Sequence, residues 1–86
     1  MTASRALHLT LYSRAWCHLC EEMREQLEPL ARAFGAQVAV VDVDADPNLV
    51  ALYDELVPVL VFNGVELCRY RLDETRVRAA LASHRA

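Results

Sequence analysis

Residues 12–20 read Tyr12-Ser13-Arg14-Ala15-Trp16-Cys17-His18-Leu19-Cys20, and the residues on either side decide how this stretch folds. Before it, Leu7, Leu9 and Leu11 alternate with His8, Thr10 and Tyr12, the period-two pattern of a strand with one apolar face, over about residues 6–12. After it, Met23, Leu27, Leu30, Ala31 and Phe34 recur at three- and four-residue spacing as far as Gly35. That spacing predicts a helix over about 18–34, ended by a glycine free to turn left-handed. The two cysteines therefore stand where a strand hands over to a helix. Pro29 removes a backbone donor inside that helix, which predicts a bend or interruption near Gln26–Glu28.

Working outward, the valine-rich segment Gln37–Val43 reads as a buried strand. Asp46-Pro47 supplies a helix cap followed by a first-turn proline, for a short helix to about Glu55. Val59–Phe62 and Val65–Tyr70 flank Asn63-Gly64, the strongest short hairpin signal, so these two strands are antiparallel. Asp73 caps a last helix whose apolar positions Val77, Ala80 and Leu81 share one face. The order is βαβαββα. A strand–helix–strand unit implies a right-handed crossover and a parallel pair, and the hairpin adds an antiparallel pair. The fold class is α/β, with a four-stranded mixed sheet and flanking helices.

Composition narrows the function. A chain of 86 residues, 55% hydrophobic and 24% charged with two glycines, suits one small packed domain over 1–86. Apolar runs such as Val38–Val41 and Val57–Phe62 fall far short of the ~20 residues that span a membrane. The start MTASRALHL lacks the basic segment and apolar core of a secretion signal, so a cytoplasmic location is expected. In that reducing compartment, three cysteines do not suggest a permanent disulfide framework. A net charge of −3 argues against nucleic acid as a partner, although Arg69, Arg71, Arg76, Arg78 and Arg85 make the C-terminal end locally basic. That basic run reads as a solvated face. All nine basic residues are arginine, which excludes lysine chemistry.

The cysteine pair admits three readings. As a metal site it supplies two ligands where a closed zinc site needs four, and only His8, His18, His84 and Cys68 remain, none in a second paired motif. As core filler the pair would be a poor coincidence at this spacing and position. As a redox centre, Cys17 faces the unpaired N–H groups of the helix start, and Cys20 lies one turn further on nearly the same side. The magnitudes favour moderate activation. A helix dipole contributes about 0.3–1 kcal/mol, against ~1.36 kcal/mol for each pKa unit below the ~8.5 of a free thiol. Arg14 and a protonated His18 add to the depression, while Glu21 and Glu22 oppose it. Trp16 offers an apolar partner surface beside the thiol or packs on the loop. Tyr12 and Tyr53 read as packing residues. Asp42, Asp44 and Asp46 resemble a calcium loop but lack its glycine and distal glutamate.

Tyr12-Ser13-x-x-Trp16-Cys17-x-x-Cys20, then Val57-Pro58-Val59, then Asn63-Gly64, resembles a glutaredoxin-like member of the thioredoxin superfamily, and the match in element order spans almost the whole chain. The resemblance implies a thioredoxin fold with sheet order 2-1-3-4 and a cis Val57–Pro58 bond facing the cysteine pair. It implies a thiol-disulfide oxidoreductase in which Cys17 attacks and Cys20 resolves. Arg14, Trp16, Val57 and Pro58 would then meet substrate, with no metal; His18 and Cys68 are candidate modulators, against His18 as a solvated first-turn residue and Cys68 as a half-buried strand residue. The expected partners are a disulfide-containing protein or low-molecular-weight thiol and a thiol reductant, with no nucleic acid or membrane, and the chain a monomer. No bound cofactor is expected. Glutathione is a candidate reductant, but its binding motif is incomplete. Cys68-Arg69-Tyr70-Arg71 replaces the usual glycine pair and acidic residues, Leu56 stands where threonine is common, Arg14-Ala15 replaces lysine and proline, and His18-Leu19 replaces Pro-Tyr. Weak glutathione-dependent activity is therefore expected. The competing class is a non-catalytic binding module on the same fold, with or without an iron–sulfur cluster or zinc.

Overall fold

The structure, a computed structural model, describes residues 7–84. Strand β1 (Leu7–Ser13) leads into helix α1 (His18–Phe34), which returns to β2 (Ala36–Asp42). A 3-10 turn (Val43–Ala45), helix α2 (Pro47–Tyr53) and a second 3-10 turn (Asp54–Leu56) carry the chain to β3 (Val59–Phe62). Strand β4 (Val65–Arg69) and helix α3 (Glu74–Ser83) follow. The sheet order is β2-β1-β3-β4, with β1 parallel to β2 and the other neighbours antiparallel, as the sequence predicts.

Local chemistry accounts for the boundaries. Gly35 ends α1 at φ 68°, its N–H reaching the carbonyls of Ala31 and Arg32, a conformation that costs a side chain-bearing residue about 1–2 kcal/mol. Asn63 and Gly64, at φ 52° and 78°, form the tight hairpin turn. Asp46 caps α2 by accepting from the Asn48 N–H at 2.9 Å, and Asp73 caps α3 through the Arg76 N–H at 3.1 Å. One extra residue in β4 shifts the pairing between Leu60↔Cys68 and Val61↔Glu66.

The main core lies on one face of the sheet. Leu7, Leu9 and Leu11 of β1 meet Met23, Leu27, Leu30 and Ala31 of α1, Leu60 and Phe62 of β3, Leu67 of β4, and Val77 and Leu81 of α3. Register places Leu11 beside Leu60 and Leu9 beside Phe62, so the inward side chains of adjacent strands form rows under the helices. On the other face Tyr12 stacks on Tyr53 of α2, ring centroids 4.5 Å apart. No helix among the described residues is long and apolar enough to cross a membrane.

Two expectations need correction. The valine-rich β2 is not buried: it is an edge strand in which Gln37, Ala39, Val40 and Asp42 are exposed. Strand pairing leaves it one neighbour only. The single fully buried valine of the segment is Val43, just beyond the strand. Of the bend or interruption expected at Pro29, the interruption is absent: helix α1 runs unbroken through it. Buried residues on both sides of the proline, Met23 and Leu27 before it and Leu30 and Ala31 after it, hold one helix against the sheet. That burial offsets a single lost donor.

Candidate active site

Cys17 is the N-cap of α1, extended at φ −104° and ψ 105°, and its sulfur accepts the Cys20 backbone N–H at 3.1 Å. The residue is thus aimed at the positive end of a 17-residue helix. Cys17 and Cys20 are joined as a disulfide with Cα atoms 5.2 Å apart, inside the range such a bond requires. Exposure is asymmetric. Cys17 is half-buried, whereas Cys20 is 2% exposed within a small cluster with Val43 and Val57. Tyr12, Leu49, Tyr53 and Cys17 itself pack against that cluster.

The Val57–Pro58 bond is cis, both residues are buried, and Val57 belongs to the cluster that holds the pair. Tyr70 lies on the far side, its N–H donating to the Pro58 carbonyl at 2.8 Å. Three side chain-bearing residues with positive φ stand around this junction: Trp16 at 61° just before Cys17, Asp54 at 22° ahead of Val57, and Tyr70 at 68°. Conformations this uncommon persist where surrounding structure imposes them, and they concentrate at working sites. Trp16 is 99% exposed, so of the two sequence readings the structure selects the projecting surface.

The charged residues expected to help Cys17 are engaged elsewhere. Arg14 donates through Nε and Nη2 to the two Asp44 carboxylate oxygens, both at 2.9 Å, and through Nη1 and Nη2 to the Asp54 carbonyl and carboxylate at 3.2 and 3.3 Å. The hydrogen bonds that Arg14 donates hold the Asp44 carboxyl below its usual range, and the same bonds, accepted by Asp44, push the guanidinium further up. The Arg14 charge is therefore shared with two carboxylates. His18 is 88% exposed with Nε2 3.8 Å from Glu22, and Arg71 reaches the other Glu22 oxygen at 3.7 Å. Arg69 forks onto Glu66 at 2.6 and 2.8 Å.

Cys68 is not brought to the pair. It is a free, half-buried thiol packed against the main core, and burial, the largest influence on it, pushes its pKa up. Asp42, Asp44 and Asp46 have protein partners: Asp42 accepts the Asp44 N–H, Asp44 holds Arg14, and Asp46 caps α2. Among the described residues no group of three His, Cys, Asp or Glu side chains is placed to hold a metal ion. Sequence reasoning missed Val43, Asp54 and Tyr70. Their partners lie far along the chain, and only the charge match between Arg14 and its two aspartates was there to be found.

The Glutaredoxin-like domain (DUF836) family model matches residues 8–82. An uncharacterized protein of Mycobacterium tuberculosis, Rv0508, is 34% identical over 77 residues, covering 84% of this chain and 79% of its own. The solution structure of protein Ne2328 from Nitrosomonas europaea superposes with a TM-score of 0.80 at 34% identity, over 93% of this chain and 96% of that one. The X-ray structure of Fasciola hepatica thioredoxin gives a TM-score of 0.60 at 27% identity, over 92% of this chain and 81% of that one.

Proposed function

Because this chain belongs to the glutaredoxin-like domain family and has the thioredoxin fold, we propose that it is a thiol-disulfide oxidoreductase working through Cys17 and Cys20. The observation that carries the reading is the asymmetry of the pair: a half-buried cysteine at a helix N-terminus bonded to a fully buried one a turn later, beside a cis-proline loop. In the reduced protein the Cys17 thiolate attacks a substrate sulfur. The substrate S–S bond breaks, one substrate sulfur leaves as thiolate, and the other stays bonded to Cys17. Cys20 then gives up its proton and attacks the Cys17 sulfur. The second substrate sulfur departs, and the Cys17–Cys20 disulfide is left to be reset by two electrons from a thiol reductant.

The substrate we favour is a protein disulfide rather than a glutathione adduct. Arg69 and Arg71, the two cations of the altered Cys68-Arg69-Tyr70-Arg71 segment, already pair with Glu66 and Glu22, and the Tyr70 N–H already serves Pro58. Trp16, exposed and next to Cys17 in the chain, gives a partner apolar surface beside the pair. A reducing compartment such as the cytoplasm suits this cycle, since its reductants would reset the pair.

Alkylation tests the assignment. With limiting reagent, fully reduced protein should label first at Cys17, with a midpoint in the pH profile below the ~8.5 of a free cysteine. Cys68 should lag, because burial disfavours its thiolate. Equal labelling of all three cysteines would contradict the reading and favour a binding module.

A further inference from the structure

Three segments meet at one guanidinium. Arg14 ends the β1 side of the cysteine loop, three residues before Cys17. Asp44 belongs to the 3-10 turn whose first residue, Val43, is fully buried against Cys20 and Val57. Asp54, at φ 22°, ends α2 and opens the turn that leads into the cis Val57–Pro58 bond. The Arg14 side chain is 28% exposed, and all three of its nitrogens donate to these two aspartates. The fork onto Asp44 has the planar two-point geometry that guanidinium provides and ammonium does not.

We propose that Arg14 is a positioning residue for exchange at Cys17: its clasp on Asp44 and Asp54 fixes the spacing between the cysteine pair and the Val57–Pro58 loop. The inference rests on the oxidoreductase reading above. It gives Arg14 a role different from direct contact with substrate. A guanidinium already shared by two carboxylates is a poor receptor for a third anion, whereas a fork joining these segments acts on the gap in which a substrate disulfide must align with the Cys17 sulfur. Alignment errors of the order of 1 Å cost up to about a hundredfold in rate.

The test compares Arg14→Ala, Arg14→Lys, Asp44→Asn and the Arg14→Ala/Asp44→Asn double variant with the parent chain. Each is pre-reduced and assayed on a protein disulfide, at a temperature where thermal denaturation shows every variant folded. Arg78→Ala, which removes a surface pair with Glu74 on α3, is the control. Arg14→Ala should lose about tenfold in kcat/KM, mostly in kcat. Arg14→Lys should not rescue it, since the charge returns without the fork. Asp44→Asn should resemble Arg14→Ala, and the double variant should fall no further than either single change. Rescue by lysine, or a lower KM for an anionic disulfide in Asp44→Asn, would overturn the proposal by showing that Arg14 serves as a free cation. So would full activity of Arg14→Ala. Should Arg14→Ala fail to fold, Asp44→Asn and Arg14→Lys carry the same decision. If the parent chain itself reduces no disulfide, the oxidoreductase reading fails instead, so the two failures are distinct.

Discussion

Cys17→Ser should reduce disulfide exchange to the rate seen without protein, whereas Cys20→Ser should hold its substrate as a stable mixed disulfide. The difference follows from position. Cys17 is the half-buried cap whose sulfur faces the helix start, while Cys20 is 2% exposed among Val43 and Val57 and can attack only what is already bonded to Cys17. Without Cys17 no substrate sulfur is captured. Without Cys20 the captured substrate is not released by an internal thiol. Non-reducing electrophoresis and intact mass distinguish the outcomes, the Cys20→Ser adduct disappearing on treatment with excess dithiol. Two variants of equal activity would contradict the division of roles.

Leu27→Ala should be the most damaging single truncation on the helix that presents the pair. Leu27 is fully buried between α1 and the sheet, in the cluster that includes Leu9, Leu11 and Leu60. Losing three carbons and leaving a cavity costs about 2–5 kcal/mol, a large part of the 5–15 kcal/mol that holds a small domain together. For a domain of this size that corresponds to a Tm lower by more than about 10 °C. Leu52→Ala, at a position 63% exposed on α2, should stay within about 0.5 kcal/mol of the parent. Similar losses from both substitutions would show that the core is not where the packing places it.

The parts of this molecule that could be read from sequence are those fixed by short-range chemistry. The limits of α1, the Asp46 and Asp73 caps, the Asn63-Gly64 turn and the place of the cysteine pair each depend on residues within a few positions of one another. What could not be read depends on lateral placement. Val38, Val40 and Val41 have the composition of a buried strand, but nothing local states that β2 has a neighbour on one side only. The Arg14 clasp joins residues 30 and 40 positions apart, so an arginine that looked like help for a thiolate turned out to serve two aspartates. Pro29 shows the reverse case, in which a strong local signal for interruption yields to a helix face buried on both sides of it.

A redox titration of the Cys17/Cys20 pair against glutathione buffers, read by mass after alkylation, bears most directly on whether the pair is a redox centre. The expected result is a reversible two-electron transition between roughly −270 and −180 mV, the range of exchange-active dithiols. A disulfide that stays oxidised below about −300 mV would be a structural staple and would contradict the redox assignment, as would a reduced pair that no glutathione buffer oxidises.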